Sequence, residues 1–193
     1  MALIFHSFSF WAPTMMIRAF NISLSEVGLI LGLITIVSSI IGTILAGSAV
    51  DYLRNKNYSD APVRAAMIAV MLALPPIVTL SFVNSEMGAW VCIALYLLFI
   101  SSFAPLGLLA ISGVSTGSVK GQAAAIHAFL MMAFGLSLGP QLTAFFTDYI
   151  FADPNLLINS ISLSGLIVLP ISALLFKISL TRYRESSEKL TLI

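Results

Sequence analysis

Apolar residues fill the chain in long runs that charged residues interrupt at short intervals. A helix needs about 20 largely apolar residues to cross the hydrocarbon core of a bilayer, and on that measure the charges mark off six stretches, at 2–17, 27–50, 65–83, 88–111, 123–147 and 156–176. The segments between them are short, so no soluble domain fits between the stretches. The pattern predicts an all-α, polytopic membrane protein, with a bundle of transmembrane helices over residues 1–180 and a cytoplasmic tail over 181–193.

The stretches differ in their polar content. The first is the most polar, and His6, Ser9 or Phe10, and Pro13 follow helical spacing down one face, with Trp11 beside them. Polar groups at membrane depth face protein or water rather than lipid, so this face is expected to line a cavity. The fourth stretch holds Tyr96, Ser101, Ser102 and Pro105, polar groups and a helix break of the kind tolerated where helices border a cavity. The second carries Gly28, Gly32, Gly42, Ala46 and Gly47 at spacings that let helices pack closely, with Ser23 and Ser25 as candidate caps and Glu26 suited to the helix dipole. Pro75 and Pro76 should kink the third or start its last turns afresh, and Gly135, Gly139 and Pro140 should kink the fifth. Ser160, Ser162 and Ser164 in the sixth read as hydroxyls bonded back to their own helix.

Composition agrees with this reading: 59% of residues are hydrophobic, 9% are charged, and the mean hydropathy is +1.05, far from a soluble domain. No soluble domain or low-complexity linker offers a place for nucleic acid. The single cysteine, Cys92, excludes a disulfide within the chain. Of the nine basic residues only Arg18 lies in an odd-numbered connection; Arg54, Lys56, Arg64, Lys120, Lys177, Arg182, Arg184 and Lys189 lie in even-numbered ones or after the sixth stretch. The positive-inside rule makes those segments cytoplasmic, and both termini with them. The first stretch begins almost at Met1 with no basic leader, which is expected of a chain that starts partway into a helix rather than of a signal peptide.

Candidate chemistry is sparse. The two histidines fall in different stretches and the acids lie at the rims, so no metal or cofactor is implied, and no acid at depth could complete a catalytic triad with His6 and Ser7. An enzyme is therefore not expected. His127, early in the fifth stretch, could carry a coupling proton or simply bond a neighbouring helix. At the end of the second stretch Gly47-x-x-x-Asp51-x-x-Arg54-x-Lys56 sets an acid among basic residues at the cytoplasmic rim. Asp51 is the candidate gate residue, expected to meet the start of the fifth helix at 118–122, near Lys120, where free amides and the dipole favour an anion.

That motif resembles the loop signature of the major facilitator superfamily, with Tyr52 where the family has a basic residue. The fifth stretch resembles the family's next-to-last helix: Lys120-Gly121, small residues, Gly135-x-x-x-Gly139-Pro140, then Asp148. The run Trp11 to Arg18 with Glu26 to Gly28 is similar to bacterial spinster-like members. The resemblance covers the chain as the second half of a twelve-helix transporter and implies six transmembrane helices as a 3+3 inverted repeat. It further implies a cavity bordered by spans one and four, flanked by two and five, with three and six facing lipid, in a bacterial inner membrane. The function expected from it is secondary transport of a small organic or amphipathic solute, a lysolipid if the spinster-like likeness holds. The partners would be an N-terminal six-helix half, or a second copy of the chain through the same face. A non-transporting membrane subunit or an inactive truncated product is the alternative.

Overall fold

The computed structural model describes residues 1–117 and 119–191, with side chains through 187, and no strand occurs among them. Seven α-helices follow one another: α1 (Ala2–Phe20), α2 (Leu24–Asn55), α3 (Ala61–Thr79), α4 (Glu86–Ile100), α5 (Phe103–Gly113), α6 (Val119–Phe145) and α7 (Leu157–Thr191). Local chemistry sets most of their ends. Asn21, in the left-handed region at φ 55°, closes α1, and Ser23 caps α2 by accepting from the Glu26 amide. Pro75 and Pro76 do not end α3, which runs to Thr79 and then tightens into a 3₁₀ turn over Leu80–Phe82. Pro105 has no N–H to offer the Ser101 carbonyl, and the fourth rod breaks there into α4 and α5, with Ser102 Oγ donating to the Phe99 carbonyl at 2.6 Å. Beyond α6 the chain widens into a π-helical stretch, Phe146–Phe151, ended by Ala152 at φ 50°. The segment expected as a tail is a continuation of α7, helical through Thr191.

Five of these rods are long and apolar enough to cross a membrane: Leu24–Asn55, Ala61–Phe82, Glu86–Gly113, Val119–Phe151 and Pro154–Ser187. The α1 helix, with His6, three serines or threonines and Pro13 in 19 residues, is not among them. Its packing nevertheless gives its direction. Ala2 lies by Gly135 and Ser7 by Thr143, so α1 runs parallel to α6. Ser38 bonds the Ala94 carbonyl and Gly42 lies on the Leu98 carbonyl, so α2 runs parallel to α4. Asp60 meets Arg184 and Ile77 meets Gly165, so α3 and α7 are antiparallel. These are the directions of helices crossing a layer in alternation.

The principal neighbours are equally regular. Helix α1 packs on α2, α6 and α7; the α4–α5 rod on α2, α3 and α6; and α3 packs on α7. The main core lies among α1, α3, α4 and α7, around Phe8, Met15, Ile77, Tyr96 and Ile161. A smaller one, around Val50, Ala65 and Leu106, closes the end that holds Asp60. Helix α3 is the most enclosed of the five long rods, while α2 and α6 present mostly exposed apolar side chains.

Candidate functional site

Helix α6 is buried along one narrow seam of small residues, Gly135, Gly139 and Thr143, four apart on one face. A methyl group at Gly139 would fall on the Leu3 carbonyl oxygen, and one at Gly135 on the His6 ring. The close approach fixes α1 against α6, and it seats the His6 imidazole over Gly135. The His127 ring, two turns earlier on α6, lies in a second notch, where a methyl at Gly107 of α5 would meet its Nε2. Among the described residues that buried Nε2 has no partner. Both imidazoles border a cavity of about 230 Å³ together with Phe103, Leu108, Met131 and Met132. A neighbouring cavity of about 160 Å³ shares His127, Phe103 and Met131. Phe5 joins the rings of His6 and Phe103, at centroid distances of 5.3 and 5.0 Å.

The residues expected to line a cavity are thus divided. His6 is half-buried at the cleft, and Ser9 and Phe10 are exposed on α1, Ser9 Oγ donating to the Phe5 carbonyl. Trp11 turns to α6 and donates from Nε1 to the Pro140 carbonyl at 2.9 Å. Tyr96 is fully enclosed in the main core against Phe8, its hydroxyl unpartnered. Ser101 and Ser102 lie at the break, facing α2 rather than the imidazoles: Ser101 Oγ approaches Gly42, and Ser102 borders a separate apolar crevice of about 240 Å³. His6 and His127 are the two that share one space.

At the rim, Asp51, Arg54, Lys56 and Lys120 are exposed, and Gly47 has open space where a side chain would be. Lys56 lies over the Tyr52 ring at 4.5 Å. Among the described residues no hydrogen bond or ion pair engages Asp51; Ser118, at the expected contact, lies outside them. The engaged acid is Asp60, which has no exposed side-chain surface. Arg64 Nε donates to its Oδ1 at 2.6 Å and an Arg184 nitrogen to its Oδ2 at 2.9 Å. Burial pushes the Asp60 carboxyl up, but the hydrogen bonds and charges of Arg64 and Arg184 outweigh it and hold it below the usual carboxylate range. One residue earlier on α7, the Tyr183 hydroxyl donates to the Ala110 carbonyl. The extension of α7 is therefore fastened to the start of α3 and to α5. Sequence reading passed over Asp60, although Asp60-x-x-x-Arg64 is an i, i+4 pair at a helix start marked by Pro62.

A second unforeseen feature is a ladder of buried hydroxyls. Ser7 and Thr143 are 2.7 Å apart, Thr143 and Ser164 2.9 Å, and Thr147 donates to Ser160 at 2.8 Å. Ser160 and Ser164 also bond back to their own helix, as expected, and the Ser162 hydroxyl is buried without a partner. Among the described residues no group of three or more His, Cys, Asp or Glu gathers to hold a metal ion. The chain matches no protein-family model, and no curated protein matches it at a significant level.

Proposed function

We propose that the chain is the C-terminal half of a secondary transporter of the major facilitator type, moving a small organic or amphipathic solute across a cell membrane by alternating access. One observation carries this reading. If the rods are numbered one to six, with α4 and α5 as the fourth, exchanging one with four, two with five and three with six leaves the principal neighbour pattern unchanged. Directions follow the exchange as well, since rods one and five are parallel and so are four and two. Even the close contacts correspond: Gly139 of rod five lies on a rod-one carbonyl, and Gly42 of rod two on a rod-four carbonyl. If α1 crosses with the other five rods, the two successive three-helix units each make an odd number of crossings and are inverted relative to one another, which is how transporters with central sites are built. The termini and the Asp60 end are cytoplasmic in this reading, because the basic connections gather there. The exposed faces of α2 and α6, with the imidazole cleft beside α6, would meet the other half.

The test is uptake. Vesicles carrying the chain together with a six-span segment encoded upstream are offered a lysophospholipid, an organic anion and a lipophilic cation. Saturable uptake of at least one, lost when either half is omitted, is expected. Failure to take up any of them by a correctly inserted pair would favour a non-transporting membrane subunit.

A further inference from the structure

We propose that the cleft between α1, α5 and α6 recognises the carboxylate of an amphipathic aromatic monoacid, with His6 and His127 as the recognising groups. This rests on the transporter reading and names the solute class of its site.

Each imidazole is seated in a notch that only glycine leaves open, His6 over Gly135 and His127 over Gly107, so neither ring is a loose surface side chain. Because the Nε2 of His127 is buried against α5, a ligand in the cavity meets this ring at Nδ1. Around the two rings the wall is apolar and polarizable, made by Phe103, Leu108, Met131 and Met132. Phe103 and His6, each packed against Phe5, are rings of this wall on which a flat ring can pack. At about 230 Å³ the cavity is somewhat smaller than the roughly 300–1,000 Å³ of small-molecule sites, which favours a single ring on a short chain over a larger amphiphile.

Charge decides the class. Among the described residues no acid borders this cavity or the adjoining one, whose walls come from α1, α3, α5, α6 and α7. Met1 also borders the adjoining cavity, its main-chain nitrogen donating to Ser172 Oγ. An organic cation would find no counter-charge, and a zwitterionic headgroup would leave its cation unpaired, at a heavy cost in low dielectric. A monocarboxylic acid brings its own proton, which can be shared between its carboxylate and a ring nitrogen, so the bound pair is neutral overall.

The chain's two histidines make the test direct. Carbethoxylation of each is followed by mass spectrometry on the purified chain at neutral pH, with 4-phenylbutyrate, the alcohol 4-phenylbutanol, or a phenylbutyl trimethylammonium cation present. At ten times its dissociation constant the acid should slow modification of both rings about tenfold, the alcohol less, and the cation not at all. In His127→Gln, the acid should no longer protect His6. Equal protection by acid and cation, absence of protection by the acid, or undiminished protection of His6 in His127→Gln would overturn the proposal. Uptake separates the two readings: protection by phenylbutyrate without uptake by the paired halves leaves the site standing and removes the transporter. Uptake of another solute without such protection removes the solute class alone.

Discussion

Asp60 is where a single substitution should cost most, and Asp60→Asn isolates the charge because it keeps the side chain's size. The carboxylate has no exposed surface, and each oxygen accepts one guanidinium bond. A hydrogen bond to a charged group contributes about 1.5–3 kcal/mol, which sets an upper bound of about 6 kcal/mol for the two. The arginine side chains retain 27% and 47% of their exposure, so both rehydrate when released; discounting for that leaves a net loss of about 2–3 kcal/mol. For a chain of this length 1 kcal/mol corresponds to roughly 2–4 °C, so the melting temperature in mild detergent should fall by roughly 5–10 °C at pH 7. The double variant Arg64→Ala with Arg184→Ala should fall further, because it leaves a buried carboxylate with no counter-charge, a loss of about 3–5 kcal/mol. The sign with pH follows from the depressed pKa. The folded value lies below the unfolded one of about 3.9, so the stabilisation is complete above the unfolded pKa and is lost as pH falls through the folded pKa. Wild type should therefore lose its advantage over Asp60→Asn only on the acid side and keep it unchanged from about pH 5 to 8. An Asp60→Asn chain melting within about 1 °C of wild type at pH 7 would refute the claim that this node fastens α7 to α3.

Three further outcomes follow from the packing. Gly139→Ala sets a methyl against the Leu3 carbonyl and should destabilise by about 1–3 kcal/mol in thermal melts. Thr143→Val, equal in size, removes the hydroxyl shared by Ser7 and Ser164 and should cost about 1–2 kcal/mol without changing helix content by circular dichroism. A reporter active only outside the cell should be silent when fused after Ile193 and active after Asn84; the reverse would overturn the cytoplasmic assignment of the basic connections.

Periodicity and charge made the helices legible, because in lipid every backbone group must be satisfied within a helix and apolar length alone marks the candidates. The break at Ser101 and Ser102 was readable from Pro105, and the α2 cap from Ser23, since both are local chemistry. In α3 the helix runs on past Pro75 and Pro76 to Thr79, so two prolines in sequence did not mark its end. The first stretch was counted as a span on the same footing as the others, yet its polar residues keep it out of the group apolar enough to cross. Partner choice was not legible. Asp51 and Asp60 both lie near basic residues in the sequence, and only the fold brings Arg184 from the far end of α7 to Asp60. The hydroxyl ladder left a faint sign, Ser and Thr four apart on two stretches, but such residues equally bond back to their own helices, and Thr147, Ser160 and Ser164 do both. His6 and His127 could not be joined by spacing, because the depth at which each helix sits against its neighbour is set by the glycines between them.

The glycines of α2 pose the sharpest question that remains within the proposed function. Gly42 is needed inside the bundle, where a methyl would strike the Leu98 carbonyl, but Gly28, Gly32 and Gly47 have nothing within 4 Å of where a methyl would stand. Glycine in a helix interior is about 1 kcal/mol less favourable than alanine, and a face that only meets lipid gains nothing from it. A face that meets another helix does, since small residues let backbones approach. The two cases separate in one experiment. In the chain alone, Gly28→Ala, Gly32→Ala and Gly47→Ala should each leave the melting temperature unchanged or raise it slightly, up to about 1 kcal/mol. With the upstream-encoded half bound, the same substitutions should weaken association, most of all the Gly28→Ala, Gly32→Ala pair, one turn apart on one face. If association and uptake are as strong with all three alanines as without, the α2 face meets lipid, and the other half must dock through α6 alone.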